Sequence, residues 1–99
     1  MKEQVIKFEK ILNNSEETLK ALNKALDAFE ANQPDYLALK KYYLSEEYRK
    51  DVDISNNSNE YKDIACGVLS EDAVYNLIGE SFHTYIRMLE LATKFLKEH

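Results

Sequence analysis

The sequence predicts an all-α fold: two long antiparallel helices plus two short helices, closed into a small helical bundle. Three observations carry that expectation. The 99 residues include only two Gly and one Pro, too few for the many tight turns of a sheet protein. Large apolar residues repeat in heptads through the first third of the chain. The last quarter has a broad apolar face of helical period.

The first long helix is expected over about residues 3–31. Val5, Phe8, Leu12, Ser15, Leu19, Leu22, Leu26 and Phe29 recur at alternating spacings of three and four, which makes a coiled-coil seam. Ile11 and Ala25 widen it on one side. Asn13-Asn14-Ser15 offers cap residues that would mark a kink. At Asn32-Gln33-Pro34 a left-handed Asn and an N-terminal Pro predict a tight corner.

Two short helices then fall within about residues 34–51. Tyr36, either Leu39 or Lys40, and Tyr43 share a face of the first, and Ser45 is the expected N-cap of the second, with Glu46 and Glu47 on its positive end. Residues 52–60 are expected as a loop, because Asp-Val-Asp-Ile-Ser-Asn-Asn-Ser-Asn-Glu from Asp51 to Glu60 shows no helical period and is rich in turn formers. The second long helix is expected over about 71–96. Ser70 reads as its N-cap, Glu71 and Asp72 sit on its dipole, and Leu69 can staple onto Val74. Val74, Ile78, Ser81, Tyr85, Met88, Ala92 and Phe95 form one seam, with Tyr75, Phe82, Leu89 and Leu96 beside it; Gly79 is the one costly residue inside.

Composition narrows the function. At 44% hydrophobic and 31% charged, the chain has material for a core and reads as a single domain, 1–99. No apolar run is long enough to span a bilayer. The opening Met1-Lys2-Glu3-Gln4-Val5 breaks any signal-peptide pattern, so a cytoplasmic location is expected. Cys66 is the only cysteine, which rules out an intrachain disulfide. The net charge of −5 argues against nucleic acid. That imbalance is local, since residues 45–72 hold eight acids and three bases.

Tyr42-Tyr43-x-Ser45-Glu46-Glu47-Tyr48-x-x-Asp51, followed by Gly67-Val68-Leu69-Ser70-Glu71-Asp72-Ala73-Val74-Tyr75, resembles domain-of-unknown-function family 4298. The likeness covers nearly the whole chain, and the Gly67–Ala73 block is its most specific part. Tyr48 stands where the family usually has Trp, and residues 55–60 lack the Gly and Leu-Pro the family tends to place there. The resemblance implies a small bacterial helical protein and brings no activity or site with it.

Chemical motifs are sparse. Asp51, Asp53 and Ser55 occupy the first, third and fifth positions of an EF-hand-like calcium loop, but Asn56 replaces its Gly and Lys62 its closing Glu. His83 has no second ligand at metal spacing and reads as a surface residue; Cys66 reads as a small buried apolar one. No phosphate loop, catalytic triad or HExxH motif occurs, which weighs against an enzyme, and no cofactor is implied. Tyrosine is abundant, at seven residues with no Trp. Tyr43, Tyr48, Asp51 and Asp53 are the candidate partner-binding residues, since Tyr beside acids suits a basic partner; the reading that comes before it is that the rings cap the ends of a small core with their hydroxyls reaching water. The function expected first is a non-catalytic protein-interaction module, self-associating as a homodimer through the first long helix. The alternative is a small-molecule or cation-binding regulatory domain using the acidic, Tyr-rich segment 42–72.

Overall fold

The computed structural model describes residues 1–99, and all of its regular structure is helical. Three α-helices, α1 (Lys2–Tyr43), α2 (Glu46–Asn57) and α3 (Ala73–Lys97), are joined by a tight corner and by a longer connection holding one 3-10 turn, Gly67–Leu69. The chain divides into two units, Met1–Tyr36 and Leu37–His99.

The first unit is a single helical segment. The expected end near residue 31 and the corner at Asn32-Gln33-Pro34 are both absent, and α1 runs through Pro34 to Tyr43. Asn32 is not left-handed, because no residue in the chain has positive φ. Pro34 lacks an N–H and so leaves the Glu30 carbonyl without its helical donor, normally a cost of about 3 kcal/mol. Good helix formers on both sides, from Ala28 to Ala31 and from Leu37 to Lys41, offset that cost. The expected short helix with Tyr36, Leu39 or Lys40, and Tyr43 on one face is therefore the end of α1, and Tyr36, Leu39 and Tyr43 are its half-buried face. Nor does the helix break at Asn13–Ser15; Thr18 donates its hydroxyl to the Asn14 carbonyl at 2.8 Å.

In the second unit, Ser45 is the N-cap of α2, as expected. Its extended backbone (φ −94°, ψ 164°) stops α1, and its Oγ accepts from the Tyr48 N–H at 3.2 Å. The same hydroxyl donates to the Tyr42 carbonyl at 2.6 Å. The expected loop over 52–60 is overturned through residue 57, since α2 continues to Asn57. A helical period does exist there. Tyr48, Asp51, Val52 and Ser55 are all half-buried, at the i, i+3, i+4, i+7 spacing of one helix face. Two of the four are polar, which hid the pattern. Ser58 ends the helix by returning both its N–H and its hydroxyl to the Ile54 carbonyl.

The start of α3 also differs from expectation. Ser70 lies at the end of the 3-10 turn and donates its hydroxyl to the Gly67 carbonyl at 2.7 Å. Asp72 holds the N-cap position without a side-chain cap bond. Ser70 is thus spent on the turn, two residues upstream of the N-cap position of α3. The turn it closes packs on both α2 and α3, and beside it lies Val74, the one buried residue, at 4% exposure. Three α-helices and a 3-10 turn replace the two long and two short helices, and α1 buries none of its residues.

Ser45→Ala should therefore destabilise the protein by about 1 kcal/mol in urea melts, and Ser70→Ala by clearly less. Equal effects would mean that Ser70 has a capping role after all.

Candidate functional site

The residues singled out in the sequence gather around the corner between α1 and α2. Tyr48 is placed by the first turn of α2 and meets two rings from the end of α1. Its centroid lies 5.0 Å from Tyr43 and 5.4 Å from Tyr42, edge to face in both cases, the arrangement aromatic quadrupoles prefer. Tyr43 and Tyr48 are both half-buried. They are neither a free contact surface nor a sealed core, and one edge of each lines a shallow hollow shared with Val52, Asn56 and Leu69. Burial, and next the neighbouring Tyr43, push the Tyr48 phenol up.

Asp51 sits one turn further along α2 and is clasped from both sides. Tyr42 donates to its Oδ2 at 2.5 Å and Tyr61 to its Oδ1 at 2.9 Å. The two phenols hold the Asp51 carboxyl below its usual range, against the opposing effect of burial. In return the hydrogen bond to Asp51, followed by burial and the charge of Asp51, pushes Tyr42 up to about 12; Tyr61 is raised for the same leading reason. A single carboxylate thus ties the end of α1, the middle of α2 and the turn at Tyr61 together. Neither Tyr42 nor Tyr61 was singled out in the sequence as a partner of Asp51. Their signal was the clustering of Tyr with acid in the middle third, legible as composition but not as pairing.

Asp53 is exposed on another face of α2, because residues two apart on a helix point about 200° apart. The calcium-loop geometry is absent: Asp51, Asp53 and Ser55 all lie within α2, and both oxygens of Asp51 already accept a phenol. No three His, Cys, Asp or Glu side chains converge anywhere. Cys66 is half-buried, with its thiol directed at the Tyr61 and Ile64 carbonyls. It lines a small open hollow with Tyr42, Asp51 and Tyr61.

The other conspicuous surface is the seam of α1. Val5, Phe8, Leu12, Leu19, Leu22, Leu26 and Phe29 are 39–70% exposed, over about 36 Å of helix. One margin carries Glu9, Glu16, Asn23 and Glu30; the other carries Gln4, Ile11, Thr18, Ala25 and Asn32. Between Gln4 and Asn32 the margins hold acids and no base, and the one basic residue in line with them is Lys2 at the helix start. The other lysines lie towards the back of the helix, and the Lys7 ammonium reaches to 5.5 Å from the Phe8 ring. No helix is long and apolar enough to cross a membrane.

The clasp makes stability depend on pH at both ends. The lowered Asp51 value favours the folded carboxylate, so its contribution is full above about pH 4 and lost as pH falls through the lowered value. The raised Tyr42 value favours the folded phenol, so its contribution is full below about pH 10 and lost as pH rises through about 12. Tyr42→Phe should flatten both shoulders of a plot of urea midpoint against pH. Asp51→Asn should bring both Tyr42 and Tyr61 back down towards 10 in an ultraviolet titration. Unchanged profiles would show that the clasp is not closed in solution.

No curated protein and no solved structure matches the chain. A family model does match, described as Domain of unknown function (DUF4298), over residues 5–91. With that match spanning most of its length, the chain belongs to the DUF4298 family.

Proposed function

We propose that the protein is a small non-catalytic helical interaction module, and that the exposed seam of α1 is its docking strip for another helix. One observation carries this reading. Seven large apolar residues stand in a heptad row on a long helix that buries none of its residues. Leaving such a row in water forfeits the hydrophobic free energy that other amphipathic helices gain on folding. At about half exposure, each side chain offers on the order of 80 Å². The row therefore offers roughly 550 Å² of apolar surface, which approaches one partner's share, about 800 Å², of a standard interface.

The margins bear on the occupant. Residues flanking a coiled-coil seam set partner choice more than affinity, because exposed ion pairs contribute only about 0.3–0.5 kcal/mol each. Two α1 helices lying antiparallel would set Glu9 and Glu16 against the acidic margin of the other. Laid parallel, they would set acids against neutral residues, so a homodimer through α1 is tolerated only in that orientation. A helix with Lys or Arg along its margin fits better than either. The acidic, Tyr-rich segment 42–72 is the weaker alternative, because Asp51 is already satisfied by its two phenols.

The test uses two synthetic amphipathic peptides of about four heptads, with Leu in the seam and either Lys or Glu along the margins. The Lys peptide should bind at least tenfold more tightly in a fluorescence titration, and added salt should narrow the gap. Leu19→Gln with Leu22→Gln keeps helix propensity nearly constant and should abolish binding with little change in helicity. Where two α1 helices pair, the same variant should also lower the solution mass. Binding that is indifferent to the margin charge and to the variant would reject the strip.

A further inference from the structure

α3 carries a second apolar row that the fold leaves unused. Tyr75, Phe82, Leu89 and Leu96 recur every seventh residue and are 61–75% exposed. Gly79, Ile86 and Thr93 fall between them at spacings of four and three, so the seven positions make a complete seam. Two of the seven suit a lone helix poorly. Gly79 weakens a helix interior more than any residue except Pro, yet nothing lies within 4 Å of where its Cβ would stand. Its small size serves no contact within the chain. Thr93 is exposed and opens a hollow between Leu89, Glu90, Lys94 and Lys97.

We infer that this seam is a two-fold contact, on which α3 of a second copy lies antiparallel. In that register Gly79 faces Leu96 of the second copy, Phe82 faces its Thr93, and Ile86 faces its Leu89; the two-fold axis repeats each pair. Small meets large in the outer layers, and medium meets medium near the axis. This is the size alternation that fills an interface without voids. Phe82 enters the hollow over Thr93. A parallel pairing would instead stack Gly79 on Gly79 and Phe82 on Phe82, leaving a void at one layer and overfilling another.

Charge agrees with shape. In an antiparallel pair, like margins meet. The polar margin reads Asn76, His83, Glu90, Lys97, so His83 meets Glu90 of the second copy and Asn76 meets its Lys97. The imidazole N–H donates to the carboxylate whether or not the ring is charged. The opposite margin, Ile78, Tyr85 and Ala92, holds no charge. Such a surface complements itself, as an isologous contact requires. The register brings in four large apolar side chains, Phe82, Ile86, Leu89 and Leu96, which at about 100 Å² each give on the order of 800 Å² for the pair. The flanking polar residues bring that total to the lower range of stable interfaces.

Light scattering and sedimentation equilibrium on the whole chain test the pairing. Wild type should show twice the monomer mass of 11.6 kDa. Glu90→Lys sets Lys against His83, and His83→Glu sets Glu against Glu90, so each should raise the dimer Kd about tenfold. Mixed in equal amounts, the two variants should restore near wild-type affinity, since in the heterodimer the unaltered His83 again meets the unaltered Glu90 and the two introduced charges are opposite in sign. Gly79→Leu has helix propensity in its favour and open space on its own chain, yet should dissociate the pair by colliding with Leu96 of the second copy. A monomeric wild type, or a dimer that ignores Gly79→Leu and is not rescued by mixing, overturns the contact. A monomeric wild type would also exclude pairing through α1, whereas peptide binding to the α1 strip is read separately and is touched by neither result.

Discussion

With Val74 as the only buried residue, apolar burial can hold little in place; a fully buried Val contributes about 1.5–3 kcal/mol. Directional interactions must then fix the geometry of the second unit. The Asp51 carboxylate is the centre of that arrangement. It accepts from Tyr42 and Tyr61, residues brought from either side of α2. The edge-to-face rings of Tyr42, Tyr43 and Tyr48 and the double use of the Ser45 hydroxyl all lie within one turn of the same corner. Loss of the carboxylate would release the end of α1 and the turn at Tyr61 together, which is why the corner behaves as a unit. Hydrogen bonds to a charged acceptor are the stronger kind, and here they supplement a core too small to act alone.

How much of this was legible depended on which residues carried the signal. Ser45 was readable because capping is local chemistry, with a small polar residue followed by two acids. The amphipathic rows were readable because their period is long and their residues large. The end of α2 was not, because Asp51 and Ser55 stand on its inner face and a search for apolar period passes over them. Pro34 misled in the opposite way. Its local meaning is a stop, but the helix formers around it prevail. Ser70 has the right chemistry for a cap and lies too far upstream of Ala73, since the 3-10 turn takes it first. Among the candidate site residues, Tyr43, Tyr48 and Asp51 lie around the corner between α1 and α2. Their pairing required Tyr42 and Tyr61, whose separation from Asp51 in the chain has no sequence signature. Asp53 was grouped with them by adjacency, and helical geometry separates it.

The two proposed surfaces give the long helices different tasks. The seam of α1 is edged by Glu9, Glu16 and Glu30 on one side and by neutral residues on the other, and so discriminates by charge between one kind of helix and another. The outer row of α3 is complementary to itself in both size and charge. A chain that pairs through α3 presents the α1 strip twice. Two weak contacts offered together raise the effective concentration for the second once the first has formed, so a modest strip of about 550 Å² can still retain a partner that carries two matching helices.

The absence of any strand has a consequence for how such a chain can be recognised at all. Inside α1, α2 and α3 nearly every amide is already bonded within its own helix, so there is no open sheet edge onto which an extended peptide could add. Recognition by main-chain hydrogen bonds, which tolerates many sequences, is closed to these surfaces. What remains is the fit of side chain into side chain, in which one methylene too many or one charge of the wrong sign is felt. An exposed apolar helix thereby becomes selective where an exposed apolar strand would be adhesive. That difference lets the chain carry so much uncovered Leu and Phe without the hazard that the same residues would create on a β edge.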